Sequence, residues 1–151
     1  MERVDIINLL ISEIEQVFFD EDLASMTPFA RKVNIFRRVS DPVNLDDDMN
    51  LPAMFFGYGD TTLNDENVGT NYQGEFLNIV ITVAIDEVHE DGLIIDVANM
   101  HKTLENIVRS LSGEANIRSA KVASAVPFTE GLSDIEMMRF VVEIDWFFLG
   151  D

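Results

Sequence analysis

Apolar residues recur at three- and four-residue steps from the start of the chain, at Val4, Ile7, Ile11, Ile14 and Phe18, with acids on the opposite side. That spacing predicts an amphipathic helix over residues 2–19. Asp20, Glu21 and Asp22 follow at its C-terminal end, where carbonyl dipoles disfavour negative charge, so the helix is expected to stop there. Phe29 to Val39 fits two periods: Val33, Ile35 and Val39 alternate, while Phe29, Val33 and Phe36 also make a helical stripe. A strand is the reading adopted. Ser40 to Leu51 turns to Asp, Asn and Pro and reads as a loop. Beyond Pro52, Ala53 to Tyr58 reads as a short, largely buried strand. Gly59 to Gly74 is polar and almost free of branched residues, the pattern of a long exposed loop, and loops of that length usually have a job.

Strict alternation returns at Glu75 to Ile85, where Leu77, Ile79, Ile81, Val83 and Ile85 share one face and Phe76, Asn78, Val80, Thr82 and Ala84 the other. Ile94, Val97, Met100, Leu104, Ile107, Val108 and Leu111 repeat at helical spacing, with Gly113 as the stop. Lys121 to Val126 predicts a modest strand and Ile135 to Phe148 a long one. In that last strand Met138, Phe140, Val142, Ile144, Trp146 and Phe148 lie on one side, opposite Arg139, Val141, Glu143, Asp145 and Phe147. The expected fold is α+β: a mostly antiparallel sheet packed against the N-terminal helix and a second helix, with residues 1–151 forming one domain. No repeat and no Gly/Ser- or Pro-rich linker divides the chain.

Composition narrows the class. The 151 residues carry 28 Asp plus Glu against 10 Lys plus Arg, a net charge of −18, which repels nucleic-acid backbones and anionic membranes. Sequence-specific DNA or RNA binding is therefore not expected. Cysteine is absent, so disulfides, thiolate metal sites and thiol nucleophiles are out of reach. The start of the chain lacks the marks of a secretory signal, and the apolar stretches 76–85 and 137–149 are too short to span a bilayer, so a soluble, intracellularly made protein is expected. Charge is also uneven. No Lys or Arg occurs between Arg38 and Lys102, a stretch rich in acids, whereas Arg31, Lys32, Arg37 and Arg38 cluster just before it.

Catalytic chemistry finds no anchor. Gly57, Gly59 and Asp60 lack the third glycine of a dinucleotide fingerprint, no phosphate-cradling loop exists, and no serine lies in a G-x-S-x-G elbow. Asp46-Asp47-Asp48 offers hard oxygen ligands, and Asp60-x-Thr62-x-Asn64 has a faint calcium-loop rhythm, but the latter has Asp65 where the turning glycine belongs and Asn71 where the bidentate glutamate belongs. His89 and His101 form no ligand pair. No catalytic residue, cofactor or metal is expected. Trp146, Phe147, Phe148, Phe55 and Phe56 read as core and sheet residues. Val80, Val141 and Phe147, apolar on the second side of their strands, call for burial against other subunits.

The order of elements resembles the bacteriophage tail terminator or tail-completion proteins. The likeness runs over nearly the whole chain: an N-terminal helix; the basic stretch Arg31-Lys32-Val33-Asn34-Ile35-Phe36-Arg37-Arg38; the Leu51-Pro52-Ala53 entry to the strand MFFGYGD; a long loop; the strand EFLNIVITVAID; the helix IDVANMHKTLENIVRSL; a strand near KVASAV; and the closing strand MMRFVVEIDWFF. The resemblance implies a non-catalytic virion protein, assembled in the host bacterial cytoplasm. It implies a homo-oligomeric, hexameric ring at the head-proximal end of the tail, with the tail tube protein, the neck or head–tail connector and the tail sheath as partners. DNA would only pass through an acidic lumen, and no membrane is involved. By position in the element order it also implies that the loop 59–74 touches neighbouring subunits or the tube, with Thr61, Leu63, Asp65, Asn67 and Tyr72 as contact candidates. Arg31, Lys32, Arg37 and Arg38 are the candidates for pairing with an acidic patch on the next copy. Two alternatives stand beside this reading: another neck or head–tail joining subunit, and a small acidic enzyme or ligand-binding domain with a pocket under the loops 40–51 and 59–74.

Overall fold

The structure, a computed structural model, describes residues 2–37, 51–67, 72–86, 93–114, 116–127 and 135–149. The first helix, α1 (Arg3–Phe18), buries Ile11, Ile14 and Phe18 of the expected stripe together with Ile6 and Leu10, whereas Val4 is exposed and Ile7 half-buried, so the buried face is turned towards Ile6 and Leu10 at the start of the helix. Its first turn is closed by Asp5, whose carboxylate accepts the Glu2 backbone N–H at 2.7 Å, an acid at the positive end of the dipole. The acids that stop α1 start a short helix that apolar periodicity does not predict, α2 (Glu21–Ser25). Asp20 is its cap, accepting the N–H groups of Asp22 at 2.6 Å and Leu23 at 3.2 Å. Negative charge that opposes the end of one helix therefore favours the start of the next.

The strand expected over 29–39 is reduced to β1 (Asn34–Phe36). Phe29 and Val33 are buried ahead of it, and the Phe29 N–H donates at 3.0 Å to the Thr103 hydroxyl, which itself donates to the Asn99 carbonyl at 2.8 Å. Phe29 thus works as an anchor onto a helix rather than as a ladder residue. The largest correction concerns 59–74. β2 (Ala53–Asn67) does not end at Tyr58, and β3 (Tyr72–Asp86) begins before Glu75, so the predicted loop is mostly a two-stranded hairpin. Their ladder runs on through Thr61↔Leu77, Thr62↔Phe76, Leu63↔Glu75 and Asn64↔Gly74 after an irregularity between Tyr58 and Thr61. The polar sequence concealed it because cross-strand pairing, not burial of one face, sustains this part of the strand.

The remaining elements are α3 (Leu93–Arg109), β4 (Ile117–Pro127) and β5 (Ile135–Leu149). After α3 the chain turns through Gly113 at φ 90°, the left-handed conformation that glycine adopts without a Cβ clash. The five strands form one sheet in the order β1-β2-β3-β5-β4, antiparallel except for the β1–β2 pair. The fold is therefore α+β with a mostly antiparallel sheet, as expected, and its core is a single layer. Leu77, Ile79, Ile81, Val83 and Ile85 from β3 and Met138, Phe140, Val142, Ile144 and Trp146 from β5 pack with Ile6, Leu10 and Ile14 of α1 and Met100, Leu104 and Val108 of α3. On the far side of the same strands Phe76, Val80, Val141 and Phe147 are half-buried.

Gly59 lies in the irregularity that lets the hairpin continue. A Cβ added there would stand 3.0 Å from both the Cβ and the carbonyl oxygen of Asn78, and backbone on the middle strand yields little. Gly59→Ala is expected to destabilise the protein by roughly 1–2 kcal/mol in urea denaturation, and an unchanged midpoint would show that the hairpin has slack at its root.

Candidate interaction surface

Alternation carries Glu75 onto the same side as Leu77, so the first inward position of β3 is a carboxylate, and its side chain is 0% exposed. It is fully occupied. Arg3, in the first turn of α1, reaches it with Nε at 2.8 Å from Oε1 and 3.1 Å from Oε2, and with Nη2 at 2.5 Å from Oε2. From β5 the Trp146 indole N–H donates to Oε1 at 3.1 Å. Phe148 completes the group: its ring lies 5.2 Å from that of Trp146 and 5.8 Å from the Arg3 guanidinium. The hydrogen bonds that Arg3 donates to the Glu75 carboxylate raise the Arg3 pKa, with the Glu75 charge adding to them against a partial desolvation penalty. A raised pKa means that the stabilisation is complete below the ordinary arginine value and is lost only in stronger alkali, so the guanidinium is charged at any working pH. A buried pair of this kind adds little net stability over an apolar replacement, but it fixes geometry. Here it ties the start of α1 to the root of the hairpin and to β5.

What this brace holds in place is apolar and exposed. Tyr58 and Leu63 pair with Ile79 and Glu75, on the helix-bearing side of the sheet, and Leu63 is 61% exposed. On the other side Tyr72 and Leu149 are direct cross-strand partners, 43% and 67% exposed, and the Tyr72 ring meets that of Phe147 edge-on at 5.5 Å. The projecting end of the sheet thus offers apolar side chains on both flanks, on a chain whose net charge is −18.

The five contact candidates of the expected loop come together on this one hairpin. Thr61 sits opposite Leu77, Leu63 opposite Glu75, Asp65 and Asn67 on the closing residues of β2, and Tyr72 at the start of β3. The basic candidates lie elsewhere. They flank β1, whose Phe36 pairs with Phe55, and Asn64 is nine residues further along β2, roughly 30 Å away at strand rise. Arg31 stacks over Phe29 at 5.6 Å, Lys32 is exposed beside Glu21 and Asp22, and Arg37 forms an ion pair with Glu15 of its own chain. Arg38 lies outside the described residues. Sequence reasoning missed Arg3, Glu75 and Trp146 as a unit. The one available signal was an acid at an inward position of an otherwise apolar strand face.

The alternatives meet the same geometry. The Asp60-x-Thr62-x-Asn64 rhythm lies on an extended strand, so it forms no coordination loop; of the two loops expected over a pocket, 59–74 is mostly paired strand and residues 40–50 lie outside the described residues. Asp46 to Asp48 and His89 lie outside the described residues, while His101 is engaged by Glu105 at 3.1 Å. Among the described residues there is no group of three or more His, Asp or Glu that would hold a metal ion, and no helix long and apolar enough to cross a membrane. A groove of about 770 Å³ is lined by residues of α1 and α2 and the turns after them, among them Glu13, Glu15, Val17, Phe19, Leu23 and Met26.

No family model matches the chain, and no curated protein matches it. Among solved structures, a chain from the virion of a native gene transfer agent particle matches 76% of this chain and 78% of its own length, at 12% identity and a TM-score of 0.47. Likeness at that distance assigns no role.

Proposed function

We propose that this protein is a structural component of a phage-type virion that forms a ring at the head-proximal end of the tail. There it stops growth of the tail tube and presents a docking surface to the neck connector. The observation that carries the reading is the braced end of the sheet, with exposed Leu63 of β2 on one flank and Tyr72 of β3 and Leu149 of β5 on the other. In a strongly self-repelling chain, an apolar end of this kind is a contact surface waiting for a protein partner. The half-buried Val80 and Val141 on the sheet's far side extend the apolar character of that flank. The reading is also supported by the resemblance of the element order to the tail terminator proteins, with the hairpin lying in the segment where the contact loop was expected. The acidic surplus suits a lumen through which DNA slides by repulsion, with no sequence read and no base bound.

The reading is tested with the tail tube protein of the same genome, polymerised with and without this chain and viewed by electron microscopy. Tubes of bounded length, each ending in an annular cap, are expected. Tubes whose length and ends are unaffected would refute it.

A further inference from the structure

The sheet has two open edges, and they differ in charge. β1 covers only Ala53, Met54 and Phe55, so among the described residues the side of β2 away from β3 has no strand against it from Phe56 to Asn67. At the other end β4 pairs with β5 on one side only. The turn after α3 meets the start of its outer side, through the Gly113 N–H on the Ile117 carbonyl at 3.3 Å and the Ala120 N–H on the Ser112 hydroxyl at 3.2 Å. From Lys121 to Val126 the outer side of β4 has no backbone partner among the described residues. Unpaired edges are templates for pairing with another chain. The β2 stretch contains Asp60, Asp65 and Glu66 and no cation; β4 contains no Asp or Glu, and its two cations pair within the chain with acids of β5, Arg118 with Asp145 at 2.9 Å and the 67% exposed Lys121 with Glu143 at 3.6 Å, so this edge is near neutral where that of β2 is acidic.

We infer that copies of this chain join head to tail, the free edge of β2 in one adding antiparallel to the edge Lys121–Val126 of β4 in the next. The inference rests on the ring reading above and supplies its contact. Three features favour this arrangement over a twofold one. Strand directions alternate across β2, β3, β5 and β4, so a sheet continued from β4 into the β2 of another copy is antiparallel without any inversion. Twofold pairing of β2 with β2 would set three acids against three acids, and β4 with β4 would set Lys121 near Lys121; head-to-tail pairing does neither. The apolar layers also meet. Tyr58 and Leu63 lie on the core side of β2, and the core side of β4 ends in the half-buried Val122 and Ala125, with the small Ala123 and Ser124 between them permitting close approach.

A heterologous contact of this kind repeats until it closes or runs on as a filament. Both strands carry irregularities, at Tyr58/Thr61 and Asn64/Asn67 in β2 and at Ile117/Ser119 and Val122/Ser124 in β4. Bulges bend and twist a strand, which favours a curved, closing assembly over a flat stack.

The absence of native cysteine makes the contact directly testable by disulfide trapping. Thr62 shares the far side of the sheet with Lys121, Ser124 and Val126, whose cross-strand partners are Phe76, Glu143, Val141 and Arg139 respectively. T62C protein is mixed in turn with K121C, S124C and V126C protein and oxidised, each variant first shown to melt like the parent. One of the three mixtures is expected to give the mixed disulfide several-fold above either homodimer, and the matching double variant a covalent ladder that ends at the size of the ring. T62C homodimers in excess would overturn the inference in favour of twofold pairing. An assembly seen by light scattering that yields none of the three mixed links overturns the edge contact and leaves the ring. A chain that is monomeric throughout overturns both.

Discussion

Leu63→Asp is expected to abolish the self-association proposed above and to leave the unfolding midpoint in place. Leu63 is 61% exposed on the isolated chain, so its replacement is an ordinary surface change worth within about 0.5 kcal/mol of fold stability. In an assembly that covers the hairpin, the same change buries a carboxylate beside Glu75 and next to further acids of β2, and each 1.4 kcal/mol lost per contact is about tenfold in affinity. A loss of at least 100-fold is expected in a light-scattering concentration series. Ile94, 85% exposed at the start of α3, is the control: Ile94→Asp removes as much apolar surface away from the hairpin and is expected to assemble normally. Equal loss with both variants, or with neither, would show that the hairpin has no special place in assembly.

Arg3→Ala is expected to be the most damaging surface substitution for the fold itself. It leaves the buried Glu75 carboxylate with the Trp146 N–H as its remaining side-chain donor. Stranding a buried charge typically costs about 3–5 kcal/mol, and because the Arg3 side chain is itself 50% exposed, roughly 2–3 kcal/mol is the expected loss by urea denaturation. Glu75→Gln keeps an acceptor for Trp146 and buries no charge, so its cost is expected to be smaller, about 1 kcal/mol. The double variant R3M/E75L, which replaces the pair by packed apolar groups, should regain most of what R3A loses. If R3A and E75Q cost the same, or R3A costs nothing, the brace is not an ion pair that the fold depends on.

The legible parts of the fold are those where burial dictates the residue pattern. α1 and the core side of β3 announce themselves because Ile6, Leu10, Ile11, Ile14 and Phe18 of α1 and every core-side position of β3 from Leu77 to Ile85 are apolar and buried. Where pairing or capping decides instead, the pattern is silent. Thr61 to Asn67 looks like a loop because its residues are mostly polar, and the partner that holds it extended, β3, is specified elsewhere in the chain. Asp20 to Asp22 reads correctly as the end of α1, yet the same acids being ideal for starting α2 is a local capping fact that apolar periodicity does not see. Phe29 looks like part of a strand because an anchor onto Thr103 and a ladder residue have the same apolar side chain. The five candidates taken from the position of 59–74 in the chain, Thr61, Leu63, Asp65, Asn67 and Tyr72, stand on two paired strands where the sequence pattern predicts a loop. Arg3 and Glu75 are 72 residues apart, and no spacing rule connects them.

Everything functional here turns on whether copies of this chain cover one another's apolar hairpin and open strand edge. Light scattering coupled to electron microscopy, on the protein alone and with tail tubes added, addresses that in one experiment. Expected are particles whose mass is an integer multiple of 17.1 kDa, six-fold if the terminator reading holds, seen end-on as annuli with a central hole. A species of 17.1 kDa under both conditions, with no annulus on any tube end, would contradict it.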